Sequence, residues 1–387
     1  MIDKLGVKWV EIDLDALAHN FREIKKRVAP AKVMAVVKAD AYGHGAVEVA
    51  RTAARCGIRS VGVSCLEEAI ELRRNFIKGE ILIFGALPVS QICDLLNYDL
   101  MPSVCTEAFA EALSDEAGKR GKAIPVHVCV DTGMGRVGPY YTKALPLLQR
   151  VAALSHLKLA GLYSHFATAD SESTTFARIQ EKRFNLLLKQ IVRAGITIPI
   201  IHIANSGGVL NLAESYFKLV RPGLITYGIY PCQKRKGYPI LRNVLTFKSR
   251  VSFVQSVGKG FTVGYGCRYV TKGETDIVTL PIGYADGFSR HFSNRGAVII
   301  NGRRMPVVGS VCMDMIMVDA GKHSGIREGD VAVIIGRQGK EEISVYDIAR
   351  SLRTIPYEVI CMINRRVTRL YIKGRKSFAV KRMITEF

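Results

Sequence analysis

Between residues 30 and 225, short β-branched apolar runs alternate with stretches of helical length. The runs are VMAVV (33–37), SVGVS (60–64), ILIFG (81–85), LMPSV (100–104), IPVHVCV (124–130), LAGLYSH (159–165), IPIIHIA (198–204) and FKLVRPG (217–223). Between them lie EEAIELRRNF (67–76), TEAFAEALSDEAGKR (106–120) and TTFARIQEKRFNLLLKQIVRAG (174–195). In the last, apolar residues recur at helical spacing and Gly195 supplies a stop. Eight βα units predict a (β/α)8 TIM barrel. Periodicity alone leaves a doubly wound sheet open, although no GxGxxG opens the first unit. After about residue 243 the pattern becomes short strands separated by Gly-rich turns: TFKSRVSFVQSV, IVTLPIGYADG, GAVIINGRRMPVVGS, MIMVDA and DVAVIIGRQG. A barrel domain over 1–243 followed by a mostly antiparallel β domain over 244–387 is expected, with one helix-like interruption, VYDIARSL (345–352).

At 387 residues the chain exceeds what one core usually serves, in keeping with two domains. The first residues, MIDKLGVKWVEIDLD, lack the apolar region of a signal peptide. No apolar run reaches the roughly 18 residues of a membrane helix. A soluble, cytoplasmic protein with no membrane partner is therefore expected. The nine cysteines are odd in number, scattered and without CxxC spacing, so reduced thiols and no metal site are predicted. A net charge of +21 favours anionic partners. The basic residues are spread along the chain without a nucleic-acid-binding motif, so no nucleic-acid partner is expected; solubility and attraction of a phosphorylated cofactor are the simpler readings.

In a parallel barrel, reactive side chains gather where the strands end, because the βα loops share one rim. Lys38 stands there, directly after VMAVV. An apolar strand beside an amine lowers its pKa and favours the neutral form that a Schiff base requires. Tyr42, Gly43 and Gly45 then turn the chain into the next helix. Four more strand ends bring Arg136 (DTGMGRVG, 131–138), His165 (LYSHFATAD), Asn205 and Ser206 (HIANSGG), and Arg221 (VRPGLITYGIYP) to the same rim. Each is unremarkable alone, as a Gly turn, a core histidine or a structural ion pair; their joint placement argues for a site.

The segments AVVKADAYGHG, DTGMGRVG, YSHFATAD, ANSGG, VRPGLITYG, VGYG, LPIGYADG, VCMD and YEVICMINRRV stand in the order found in alanine racemases, and the chain resembles that family from WVEIDLDALAHN onward. The resemblance implies a homodimer with shared active sites, pyridoxal 5'-phosphate (PLP) as cofactor, alanine as substrate, and D-alanine for peptidoglycan as product. Lys38 would hold PLP. Tyr42, Ser206, the backbone at Gly223 and Leu224, and Tyr357 would hold its phosphate, with His165 and Asn205 also lining the cofactor. Arg221 would face the pyridine nitrogen. An acidic residue there would suit the related barrel decarboxylases instead, and a PLP carrier would lack the β domain. Lys38 and Tyr265 would be the two acid/base groups, Tyr265 coming from the partner subunit. A phenol of pKa about 10 needs cationic neighbours to act as a base, for which His165 and Arg136 are the candidates. Arg136 and the backbone of Met313 would meet the substrate carboxylate. Tyr284, Asp170 and Arg290 would line the access channel, with Tyr265 and Tyr357 adding to its constriction. Some serine turnover is expected, since apolar pockets reject an added hydroxyl only weakly.

Two departures from the family pattern stand out. Cys129 occupies the place of a lysine that is carbamylated in many members and orients the arginine, and a bound anion or water network is expected as its replacement. Ser310 stands where an arginine is common, which changes the electrostatics expected of the access channel.

Overall fold

The computed structural model describes residues 6–374 and 376–381; residues 1–5, 375 and 382–387 of the two expected domains lie outside it. All eight expected runs form parallel strands: β1 (Lys32–Val36), β2 (Ser60–Val63), β3 (Glu80–Ala86), β4 (Met101–Val104), β5 (Ile124–Cys129), β6 (Leu157–Tyr163), β7 (Ile200–His202) and β8 (Leu219–Val220). Pairing runs β7-β6-β5-β4-β3-β2-β1-β8. Lys218 N–H donates to Ile201 O (3.3 Å) and Arg221 N–H to Ala204 O (2.9 Å), bringing β8 back to β7. The result is a nearly closed TIM-like barrel, so the doubly wound alternative falls away.

Helices expected from periodicity appear at Leu66–Arg74, Glu107–Lys119 and Thr175–Arg193. The second starts at Thr106, whose hydroxyl accepts from Phe109 N–H, the usual N-cap arrangement. The barrel interior is layered because side chains alternate along each strand. Met34, Leu82, Met101 and Leu219, one from each of four strands, cluster at its base with Phe84 and Ile200. Two residues on from Met101 the lining turns polar at Ser103, in a layer that includes His127, Tyr163 and His202. Gly161 makes this layer possible, since a Cβ there would lie 2.4 Å from the His127 ring.

The barrel unit groups Ala16–Ala41 with Ala46–Arg242. A second unit contains the residues from Asn243 on, the Tyr42–Gly45 turn and the strand Lys8–Asp13. That first strand falls inside the range expected for the barrel, yet it belongs to the β unit. It pairs antiparallel with Leu245–Arg250 and parallel with Thr368–Lys373, and Trp9, Val10 and Ile12 are buried. The remaining strands of this unit pair antiparallel. Val345–Leu352 is helical as expected; the unit also contains a second helix, Pro356–Cys361, too short to show periodicity. No helix among the described residues is long and apolar enough to cross a membrane.

Candidate active site

Lys38 follows β1 and opens a left-handed turn. Ala39, Asp40, Ala41 and Tyr42 all have φ between 50° and 55°, a conformation that costs about 1–2 kcal/mol per non-glycine residue. The turn is held by Ala39 N–H donating to Glu68 Oε1 (2.6 Å) and Ala46 N–H donating to Asp40 Oδ1 (2.9 Å). Strain so over-determined is characteristic of functional sites.

Arg221, at the end of β8, is buried. Its Nη1 donates to His202 Nδ1 (2.6 Å); Nη2 donates to Ser164 O (2.7 Å) and Ile203 O (3.3 Å) and lies 3.5 Å from His165 Nδ1. The guanidinium also rests over the Tyr163 ring, 5.1 Å from its centroid. Burial lowers its pKa from 12.5 to about 10, so it remains a cation at neutral pH. Among the described residues no carboxylate salt-bridges it, and its Nε edge takes no part in these bonds.

His165 is half-buried. Desolvation first, then the charges of Arg221, Arg136 and Lys38, push its pKa well below the usual range. That influence places Lys38, Arg136 and Arg221 within electrostatic reach of His165. It also corrects one expectation: His165 is neutral and cannot be a cationic neighbour for a phenol, which leaves Arg136.

Arg136 is exposed, on a loop anchored by Asp131. One carboxylate oxygen of Asp131 accepts from Gly133 and Met134 N–H (2.7 and 2.8 Å) and the other from Gly135 N–H (3.0 Å). Cys129 Sγ donates to Val137 O at 3.7 Å, so the thiol ties down the return of the same loop.

Ser206 Oγ accepts from Gly223 N–H (2.9 Å) and Ile225 N–H (3.5 Å), leaving its own proton to donate. Asn205 caps the following helix through Gly208 N–H (3.0 Å) and reaches Phe166 O (3.4 Å). Gly207 has no room for a side chain, since a Cβ would lie 2.7 Å from Ala169 C and Asp170 N. Asp170 is half-buried beside it, and burial raises its pKa. Leu224 begins a 3-10 turn after Gly223. Three cations, a hydroxyl with a free proton and a glycine-lined turn form a donor set that fits an anionic, phosphorylated cofactor.

In the β unit the rings of Tyr42 and Tyr357 lie 6.1 Å apart. Elsewhere in that unit Tyr265, 74% exposed, and Met313, 52% exposed, line an open groove of about 590 Å3 with Phe261 and Met315. Tyr284 N–H donates to Cys312 O and Ala285 N–H to Met313 O, both at 3.1 Å, which sets Tyr284 beside Met313. Arg290 acts electrostatically on the Cys312 thiol and belongs to the same group. Ser310 is buried and donates to the Tyr265 carbonyl at 2.8 Å. Its part is to hold the backbone of the Tyr265 turn.

The residues that sequence reasoning missed are His202, which orients Arg221, and His127, whose Nδ1 lies 2.8 Å from His202 Nε2. The signal available was a histidine inside each of two otherwise apolar strands, IPVHVCV and IPIIHIA.

Family models agree with this architecture. The model described as alanine racemase, N-terminal domain, matches residues 12–231, and alanine racemase, C-terminal domain, matches 244–371. The alanine racemase of Carboxydothermus hydrogenoformans is 42% identical over 365 residues, 94% of this chain and 99% of that one. Among solved structures, an alanine racemase of Clostridium difficile in complex with cycloserine has a TM-score of 0.90 at 34% identity, covering 97% of this chain and 98% of that one. The alanine racemase of Bacillus anthracis with bound L-Ala-P has a TM-score of 0.90 at 34% identity, covering 96% and 97%.

Proposed function

The chain belongs to the alanine racemase family, and on that premise we propose that it interconverts L- and D-alanine with PLP as cofactor, providing D-alanine for peptidoglycan. The observation that carries the reading is Arg221, a buried cation whose described partners are neutral and whose Nε is left for a further acceptor. Lys38 would anchor the cofactor. Ser206, the backbone at Gly223 and Leu224, and the Tyr42 and Tyr357 hydroxyls would hold its phosphate, with Asn205 and His165 completing the walls.

When bound, PLP supplies the electron withdrawal that acidifies the Cα–H of an amino acid. The protein's own residues then decide where that proton goes. Racemisation needs a proton removed from one face of Cα and returned to the other, so two acid/base groups must flank it. Lys38 is one. Tyr265, with Met313, would come from a second copy of the chain; the exposure of both residues and the apolar groove around them support a homodimer with shared sites. Arg136 would bind the substrate carboxylate and is the cation available to favour the Tyr265 phenolate. Arg221 donates a hydrogen bond but keeps its own proton at neutral pH, which favours return of the substrate proton to Cα over its transfer to the cofactor. Tyr284, Asp170 and Arg290 would limit access to small amino acids.

The test is incubation with PLP and L-alanine in deuterated water, monitoring optical rotation and α-proton exchange together. Loss of rotation accompanied by deuterium at Cα is expected. Release of carbon dioxide, or unchanged rotation, would contradict the proposal.

A further inference from the structure

Two thiols in the barrel have no part in the proposed chemistry. We propose that Cys105 and Cys129 form a modification site, a dithiol that a hydroperoxide converts into a disulfide, loosening the loop that presents Arg136.

Strands β4 and β5 are parallel neighbours in the register Ser103↔His127 and Val104↔Val128. One step further along stand Cys105 and Cys129. Because side chains alternate, Cys105 shares the face of Ser103 and Cys129 that of His127. Both of those point into the barrel: Ser103 Oγ bonds the Tyr163 hydroxyl at 2.7 Å, and His127 meets His202. The two thiols therefore face inward on strands about 4.8 Å apart, inside the Cα separation of about 4.4–6.8 Å that a disulfide spans. They lie close enough for each to act on the other's ionisation.

The pair is chemically unequal. Despite burial, Cys129 is made the more acidic thiol, first by its neighbour Cys105 and then by Tyr163 and the charges of Arg221 and Arg136. Cys105 is correspondingly raised by Cys129 and by burial. The Cys129 thiolate is thus the nucleophile. It attacks the terminal oxygen of the hydroperoxide, the O–O bond breaks, and the alkoxide takes up the proton that Cys129 released on ionising and leaves as alcohol; Cys129 becomes a sulfenic acid. The Cys105 sulfur then displaces hydroxide from Cys129, and that hydroxide leaves as water with the Cys105 proton. Two thiols lose two electrons in total and one hydroperoxide is reduced to alcohol and water.

The consequence runs through Val137. Oxidation removes the S–H that now donates to Val137 O, the residue after Arg136. The loop keeps the Asp131 carboxylate and, at its base, the backbone bonds Asp131 N–H to Pro139 O and Tyr141 N–H to Asp131 O, but loses the side-chain tie nearest Arg136. This consequence rests on the proposed role of Arg136 at the substrate carboxylate, so it should show in KM more than in kcat.

The experiment treats the PLP-loaded enzyme with hydrogen peroxide and maps peptides by mass spectrometry without reduction. The expected result is a 105–129 linked peptide pair, lighter by two hydrogens and separated by dithiothreitol, with alanine KM raised severalfold and kcat changed by less than about twofold. The variant C105A should keep its untreated activity, form no linked pair, and trap Cys129 as a dimedone-reactive sulfenic acid. Oxidation of the exposed Cys93, Cys267 and Cys361 with Cys105 and Cys129 left as thiols would overturn the site. A linked pair with unchanged KM would overturn the coupling to Arg136. Absence of racemisation before treatment would instead refute the proposed function, which the mass measurement does not depend on.

Discussion

Arg221 Nη1 donates to His202 Nδ1 at 2.6 Å, and this one bond sets the protonation of two buried rings. A guanidinium has no acceptor, so His202 Nδ1 must carry the lone pair and its Nε2 the proton. Nε2–H then donates to His127 Nδ1, 2.8 Å away, which puts the His127 proton on Nε2, a buried atom with no hydrogen-bond partner among the described residues. Both rings are therefore expected as neutral Nε2–H tautomers. Long-range nitrogen–proton NMR correlation on histidine-labelled protein reads this directly. An Nδ1–H signal from His202 would contradict the assignment.

Stability should fall in mild acid. Desolvation lowers the His127 pKa from 6.5 to about 3, with the Arg221 charge adding to it, and those of His165 and His202 move well down for the same leading reason. Below the unfolded value near 6.5, the unfolded chain binds protons that the folded one refuses. Stability is then full above about pH 6.5 and is lost as pH drops towards the folded values. Urea midpoints at pH 7.5 and 5.0 test this: the wild type should lose more than His127→Gln does. Equal losses would count against the histidine origin.

Lys38→Ala and Tyr265→Ala should each reduce turnover by about 10²–10⁴-fold, the usual worth of a positioned acid/base group. Co-expressed, the two inactive variants should recover about a quarter of wild-type activity, because in the proposed homodimer half the dimers would be mixed and each mixed dimer would carry one intact site. No recovery in a demonstrably mixed dimer would exclude a shared site.

Gly207→Ala should weaken cofactor retention. The added methyl would press on the Ala169 and Asp170 backbone at 2.7 Å, and the neighbouring Ser206 would move with it. A severalfold rise in the PLP dissociation constant, measured by absorbance on dialysis, is expected; unchanged retention would show that the Ser206 turn does not hold the phosphate.

Asp286→Asn should destabilise the β unit. The fully buried carboxylate bonds Arg366 Nε at 2.6 Å, Lys8 Nζ at 2.8 Å and Gly283 N–H at 2.9 Å. Burial alone would raise its pKa, but Arg366, Lys8 and the Gly283 N–H outweigh it and leave it lowered. Removing the charge takes the carboxylate from Lys8 and leaves Arg366 with Asp314, at a cost of about 3 kcal/mol, visible as a lower urea midpoint at pH 7. A midpoint within experimental scatter of wild type would show that solvent and Asp314 compensate both cations.

Much of the barrel was legible in the chain because its signals are local. Eight β-branched runs with helices between them carry their own periodicity, and a residue at the end of such a run, such as Lys38, Arg136 or Arg221, is on the rim by construction. The resemblance to a known family added Tyr265 and Met313 as candidates. What sequence by itself could not determine was pairing between segments far apart in the chain. Strand Lys8–Asp13 lies between Leu245–Arg250 and Thr368–Lys373, and its alternation fits either unit. His202 orients Arg221, Ser310 holds the Tyr265 turn, and Cys129 meets Cys105, because folding brings their backbones together at distances no local pattern encodes. The pKa of His165 was decided in the same way: its residue type permits either charge at neutral pH, and only burial beside three cations makes it neutral.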